Sequence, residues 1–246
     1  MDRLIYTALS GASGSMQAQT VVSHNLANVG THGFRAMQHT LLSSPVAGDG
    51  LESRVAVGEQ PLSWDDSQGP AIQTGRALDI ALDGPGWLVV QAPDGTEAYT
   101  RAGSLRLTPE GLLETSGGHL VLGNGGPISL PPYEKLDIAA DGTISIVPQG
   151  QDATTIAEVD RFKLVNPPRE SLGQVGPSLF ATVDGNPAAA DPAVKISNGQ
   201  LEGSNVNAAE ALVQMIELSR LYEMQIRTLH TAEENAELAA QLMRLG

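Results

Sequence analysis

The chain has 246 residues, 41% of them hydrophobic and only 4% aromatic, with 27 glycines, 15 prolines and no cysteine. This suits one large domain or a medium domain with appendages, an aliphatic core and many tight turns. The formal net charge of −14 at pH 7 argues against nucleic acid or an anionic membrane surface as partner, and a chain without thiols crosses an oxidising compartment without mispairing.

No charged residue lies between Leu4 and Phe34. The stretch is nevertheless neither a membrane span nor a signal peptide. Thr7, Ser10, Ser13, Ser15, Gln17, Gln19, Thr20 and Ser23 interrupt the roughly 20 mostly apolar residues that a span needs, and Asp2-Arg3 gives no positive n-region before a continuous apolar run. Export, if it occurs, is expected without a cleaved signal. The apolar positions Ile5, Ala8, Leu9, Ala12, Met16, Val22 and Leu26 step mostly by three and four, which predicts a helix over 1–30. Asn28, Gly30 and Gly33 end the pattern.

Residues 36–75 hold neither period well, and Gly48, Gly50, Gly58, Pro61, Gly69 and Pro70 punctuate them; an extended connector is expected over 31–75. From 76 to 200 short strand-type runs alternate with turn formers. The runs are Leu78–Leu82, Trp87–Ala92, Ala98–Arg101, Ser104–Thr108, Leu112–Thr115, His119–Leu122, Lys135–Ala139, Thr143–Val147, Val159–Val165, Leu179–Val183 and Ala193–Ser197. Between them stand Asp83-Gly84, Asp94-Gly95, Pro109-Glu110-Gly111, Gly117-Gly118 and Asp141-Gly142, the residues of tight hairpins. Residues 148–156 and 166–178 read as loops.

The last segment, 201–246, opens with Asn207 as a helix N-cap and Glu210 as its capping-box partner. Heptads follow, with Ala208, Met215, Tyr222, Leu229, Ala236 and Met243 at one apolar position and Ala211, Leu218, Gln225, Ala232 and Ala239 at the other, and no charge falls on either. The spacing predicts a coiled-coil seam with a solvated back; an ordinary amphipathic helix on a globular core satisfies the same periodicity. The expected fold class is α+β, mainly β: long N- and C-terminal helices forming a coiled-coil-type helical domain, with a central antiparallel β domain.

Catalytic residues, cofactor ligands and metal ligands are all expected to be absent. The histidines at 24, 32, 39, 119 and 230 lack an H-E-x-x-H arrangement and companion cysteines. Asp65-Asp66 reads as a solvated loop pair. Gly123-Asn124-Gly125-Gly126-Pro127 lacks the Lys-Ser/Thr ending and the following helix of a phosphate loop and reads as a turn. Trp87 and Tyr99 sit on neighbouring strands and read as core.

Three blocks carry a resemblance. Ser23-His24-Asn25-Leu26-Ala27-Asn28-Val29-Gly30-Thr31-His32-Gly33-Phe34-Arg35-Ala36 is similar to the signature of flagellar rod and hook proteins, in which N-L-A-N precedes T-x-G-F-[RK]; the matching residues are Asn25, Leu26, Ala27, Asn28, Thr31, Gly33, Phe34 and Arg35. Ala77–Gly84, Gly86-Trp87-Leu88, Tyr99–Gly103 and Gly125–Ile128 resemble the family's β segment, and Leu201-Glu202-Gly203-Ser204-Asn205-Val206 the motif opening its C-terminal helix. Tyr222–Gln225 and Glu233–Asn235 look most like proximal-rod members, with distal-rod members the nearest alternative and a secreted adhesin-like binding protein a remote one. The resemblance implies a structural, non-enzymatic subunit of the periplasmic rod that transmits motor torque. It implies export through the flagellar type III apparatus. It also implies partners among other rod proteins, copies of itself in a helical assembly, the export apparatus and the inner-membrane ring. The assembly interface is then expected on the terminal helices, at Ile5, Ala8, Leu9, Ala12, Met16, Val22, Leu26, Ala208, Met215, Leu218, Tyr222, Leu229 and Met243.

Overall fold

The computed structural model describes residues 2–45, 55–59, 62–151 and 156–245. It divides into two compact units. The first comprises 1–29, 36–65 and 206–246, the second 30–35 and 66–205.

In the first unit, helix α1 (Asp2–Ala27) and helix α2 (Ala208–Leu245) pack against each other, and Gly11 of α1 faces the side chain of Gln225 on α2. Strands β1 (Met37–Gln38), β2 (Leu41–Pro45), β3 (Val55–Glu59) and β4 (Ser63–Trp64) complete the unit as two antiparallel pairs, β1 with β4 and β2 with β3. Helix α1 also lies against β1 and β3. It buries small or β-branched residues, namely Ala8, Ala12, Ser15, Val21 and Val22, so neighbouring backbones can approach closely. Among the residues expected as an extended connector, 31–75, the structure therefore forms a hairpin, β2–β3, and a two-residue ladder, β1–β4.

The expected fold class needs correction. The structure has two α-helices, one at each end, and a mostly β body; its helices do not make a coiled-coil-type domain. Helix α1 has 26 residues and α2 has 38, so at about 1.5 Å per residue roughly 18 Å of α2 extends past anything α1 could cover. A coiled-coil seam buries both apolar heptad positions and solvates the rest. On α2 Ala211 and Ala232 are buried, Met215, Leu218 and Leu229 only half-buried, and Tyr222 exposed. Val213, Ile216, Met224 and Leu238 stand exposed on the face expected to be polar. Missing charges mark the heptad positions in the sequence, but they do not exclude apolar residues elsewhere on the helix.

Asn207 caps α2 as expected: its side-chain oxygen accepts the N–H groups of Ala209 (3.1 Å) and Glu210 (3.4 Å). The Glu210 carboxylate accepts a hydrogen bond from Gln214 Nε2 at 3.4 Å. Asn207→Ala should cost about 1 kcal/mol of helix stability and lower the helical circular-dichroism signal at elevated temperature without touching the β signal.

The second unit contains β5 (Ala71–Gln73), β6 (Ile80–Asp83), β7 (Trp87–Gln91), β8 (Glu97–Thr100), β9 (Leu105–Leu107), β10 (Leu113–Thr115), β11 (Tyr133–Ile138), β12 (Thr143–Pro148), β13 (Ala157–Arg161), β14 (Leu164–Val165), β15 (Leu172–Gly176), β16 (Leu179–Thr182), β17 (Lys195–Asn198) and β18 (Gln200–Glu202). A five-stranded sheet runs β14-β7-β8-β16-β15, a three-stranded sheet β11-β12-β13, and β6–β17, β5–β18 and β9–β10 form ribbons; every pairing is antiparallel. Strand β15 falls inside a segment read from sequence as loop, where two glycines and a glutamine dilute the pattern. Strand β7 is buried on both faces. Leu88 and Val90 join the main core with Leu105, Leu113, Ile128, Ile144 and Phe162, while on the other face the Trp87 ring packs on Phe180 at 4.6 Å. Each such side chain contributes about 1.5–3 kcal/mol of burial. The edges of the three-stranded sheet carry Glu134, Lys135, Asp137, Glu158 and Asp160, which guards them against stray pairing.

Four hairpin turns share one geometry. At Ala92–Thr96, Thr108–Leu112, Thr115–His119 and Ala139–Thr143 the first residue accepts the fourth residue's N–H and donates to the fifth residue's carbonyl, all at 2.8–2.9 Å. The fourth residue is Gly95, Gly111, Gly118 or Gly142, with φ between 80° and 87°, which is the three-residue hairpin closed by a glycine bulge. In two of them Thr96 and Thr143 bond back to Asp94 and Asp141, holding those exposed carboxyls below the usual carboxylate range.

Candidate functional site

Charged side chains are rarely buried unless paired, so buried ones mark where a fold has committed itself. In the β unit Arg35, Arg101 and Glu202 are 0%, 3% and 4% exposed. Arg35 Nη1 donates to Glu202 Oε1 and Arg101 Nε to Glu202 Oε2, each at 2.7 Å, and the Gly69 N–H, 3.2 Å from Oε1, is the carboxylate's third donor. Two cations thus share one carboxylate.

Each arginine also serves backbone. Arg101 Nη1 donates to the Gly86 carbonyl at 2.7 Å, and Nη2 to the Gly84 and Leu82 carbonyls at 3.0 and 3.4 Å. Its guanidinium therefore fills the turn between β6 and β7, with the Trp87 ring 5.9 Å from its centre. Arg35 Nη1 also donates to the Ser67 carbonyl, while its Nε has no hydrogen-bond partner among the described residues. Burial pulls the Arg35 pKa below its ordinary value, the Arg101 charge adds to that, and Glu202 opposes both. An arginine remains charged through such a change.

Backbone bonds bring these residues together. The Gly33 N–H donates to the Glu202 carbonyl at 2.9 Å, the Gly203 N–H to the Pro70 carbonyl at 2.9 Å and the Asn205 N–H to the Phe34 carbonyl at 3.4 Å. The Asn205 side chain donates to the Ser67 carbonyl at 3.0 Å. Phe34 is fully buried. Gly33, at φ +66°, lies against the backbone of Arg101 and Ala102, where a Cβ would collide with main-chain atoms. Three blocks far apart in sequence, carrying Arg35, Arg101 and Glu202, form one buried clasp. All three blocks stand out in the sequence, but nothing there pairs one with another. The available signal was a lone charge in 23–36, in Tyr99–Gly103 and in 201–206, each set among uncharged residues.

The remaining N-terminal motif residues belong to the first unit or its boundary. Asn25 pairs both main-chain groups of Met37, donating to its carbonyl and accepting its N–H at 2.8 Å each, and so ties the end of α1 to β1. Asn28 donates to the His24 carbonyl at 2.9 Å. Leu26 and Thr31 are half-buried, and Ala27 is exposed.

The residues expected at an assembly interface are distributed unevenly. Ala8, Ala12 and Val22 are buried, and Ile5, Leu26, Ala208, Met215, Leu218 and Leu229 half-buried. Leu9 and Met16 are 54% and 61% exposed, and Tyr222 is also exposed. Met243 lies on α2 with its side chain outside the described ones. Tyr6, which was not singled out from sequence, is exposed one turn before Leu9.

Comparison with known proteins bears on this arrangement. Residues 81–146 match the flagellar hook protein FlgE/F/G D1 domain, and residues 197–242 match the flagellar basal body rod FlgEFG protein C-terminal family. The first contains Arg101, the second Glu202 and the Asn207 cap. Over its whole length the chain is 42% identical to the flagellar basal-body rod protein FlgF of Salmonella typhimurium, covering 100% of both chains. The chain belongs to the family of FlgF-type flagellar basal-body rod proteins. The FlgF of Escherichia coli is 41% identical, again over 100% of both. The flagellar basal-body rod protein FlgG of Buchnera aphidicola subsp. Schizaphis graminum is 31% identical over 97% of this chain and 98% of its own. The family resemblance read from the three motif blocks is thereby established, and the clasp is made from those same blocks.

Proposed function

We propose that this chain is a structural subunit of the flagellar basal-body rod, of the proximal kind, and performs no catalysis. The observation that carries the reading is the end-to-end match to FlgF proteins. The architecture supports it. The β unit has its own core and clasp, while the paired terminal helices leave Tyr6, Leu9, Met16, Val213 and Ile216 exposed. Apolar side chains standing out from both helices are available for contact with neighbours, and heterologous contacts that do not close build a filament. The partners are other rod proteins and copies of this chain, met in the periplasm after export through the flagellar type III apparatus, with the inner-membrane ring at the base. Among the described residues no helix is long and apolar enough to cross a membrane.

The test is Leu218→Asp. It sets a carboxylate on the half-buried side of α2. Losing the leucine from a closed contact costs about 2–5 kcal/mol, repeated at every subunit of the assembly. The variant should be made and exported, keep its β-type circular dichroism and melting, and be missing from purified basal bodies, with motility lost. Arg220→Ala, at an exposed position of the same helix, should assemble normally. Rods that incorporate Leu218→Asp as well as wild type would sink the reading of α2 as a contact surface.

A further inference from the structure

The sequence contains two Asn-Gly pairs, Asn124-Gly125 and Asn198-Gly199. Such a pair can modify itself. The glycine nitrogen, as its deprotonated amide, attacks the asparagine side-chain carbonyl carbon; a C–N bond forms, the side-chain nitrogen leaves as ammonia, and a five-membered succinimide remains. Water then opens the ring at either carbonyl, giving aspartate or isoaspartate. Glycine favours the step because no Cβ shields its nitrogen and its backbone turns freely.

Both asparagines are exposed, so exposure does not distinguish them. The glycine nitrogens do. The Gly199 N–H donates to the Asp79 carbonyl at 2.7 Å, and its carbonyl accepts the N–H groups of Thr74 and Gly75 at 2.9 and 3.0 Å. Asn198 itself is paired with Ile80 in the β6–β17 ladder. That backbone is fixed on both sides of the bond that would have to turn. At the other pair, among the described residues, the Gly125 N–H makes no hydrogen bond. Gly125 is exposed, with nothing within 4 Å of where a Cβ would stand. One bond closes its turn, from the Gly123 N–H to the Gly126 carbonyl at 2.7 Å.

We propose that Asn124 is a self-modification site, losing its side-chain amide through succinimide formation with Gly125 in the folded protein, while Asn198 is protected by its fold. The product changes the surface. Asn124 lines an open cleft with Arg161, Phe162, Leu164, Asp191 and Pro192, and Arg161 already donates to the Asp141 carbonyl at 2.8 Å. A carboxylate at 124 adds negative charge to a cleft that holds Asp191. Isoaspartate further lengthens the main chain by one methylene inside the turn that the Gly123–Gly126 bond closes. The turn of a subunit that remains folded for a long time thus records its age.

The experiment incubates the purified full-length chain at mildly alkaline pH and follows both peptides by mass spectrometry, reading the mass gain of amide-to-acid conversion and the isoaspartate fraction. Asn124 should convert in the native protein while Asn198 keeps its amide, and in urea the two should convert at similar rates. Gly125→Ala should slow conversion at 124 by roughly tenfold or more, about 1.4 kcal/mol of barrier. Asn124→Gln should abolish it with the circular-dichroism spectrum unchanged. Native protein that retains the Asn124 amide, or that converts Asn198 as fast, would overturn the proposal.

Discussion

Replacing Glu202 with alanine is expected to cost the β unit about 3–5 kcal/mol, the penalty for leaving a buried charge without its partner. Here two guanidinium groups are stranded, because Arg35 and Arg101 divide the single carboxylate between Oε1 and Oε2. Against a total stability of roughly 5–15 kcal/mol, such a loss removes a large share of the folded population. The charge arithmetic also predicts an order. Arg35→Met removes the excess cation and leaves a one-to-one pair between Arg101 and Glu202, so it should be the mildest of the three. Arg101→Met leaves Arg35 paired with Glu202 but frees the Leu82, Gly84 and Gly86 carbonyls, each a buried or half-buried acceptor that loses a donor, so it should fall between. Urea unfolding followed by Trp fluorescence in a Trp64→Phe background reports the β unit through buried Trp87. Equal losses for Arg35→Met and Glu202→Ala would mean that packing, not charge, sets the clasp's worth.

The parts of the fold that were legible in the sequence are those decided by neighbours in the chain. Asp94-Gly95, Pro109-Glu110-Gly111, Gly117-Gly118 and Asp141-Gly142 announced their hairpins because a positive φ at a fixed offset selects glycine locally. Asn207 announced its helix because capping is a bond to residues two and three positions on. The clasp was not legible in the same way. Arg35 and Glu202 are separated by nearly the whole β unit, and nothing in either neighbourhood names the other. The β2–β3 hairpin was missed because Gly58 and the polar residues around it blur the alternation of Val55 and Val57. The coiled-coil expectation failed on composition. Alanine satisfies an apolar heptad position without the bulk that would hold a seam, and Val213 and Ile216, both 55% exposed, show apolar residues on the other side of the helix. The FlgF-type assignment survived these misses because it rested on the motif blocks, whose side chains are fixed by backbone contacts rather than by periodicity.

Gly33→Ala should be nearly as damaging as losing Glu202, for a different reason. The residue sits at φ +66°, where an L side chain costs roughly 1–2 kcal/mol from its own backbone. The added methyl would also overlap the main chain of Arg101 and reach within 2.5 Å of the Ala102 nitrogen. Main-chain atoms cannot rotate away as the tip of a flexible side chain can, so the segment 33–35 must lift off the Arg101–Ala102 backbone that follows β8. Lifting it breaks the Gly33 N–H bond to the Glu202 carbonyl and draws Arg35 away from its carboxylate. The local strain and the clasp are therefore one structural event, and the total loss should reach about 3 kcal/mol or more, the range in which a named mechanism is required. Gly30→Ala supplies the control: Gly30 has no positive φ, and nothing lies within 4 Å of its Cβ position. That substitution should be silent to within about 0.5 kcal/mol. The two damaging changes should also fail to add. With Glu202 already alanine, Gly33→Ala has less of the clasp left to break, so a double-mutant cycle should give a coupling of about 0.5–3 kcal/mol, as expected for residues in one network. Additive losses in urea unfolding would mean that Gly33 and Glu202 act independently, and that the tight fit of Gly33 against Arg101 serves the local backbone alone.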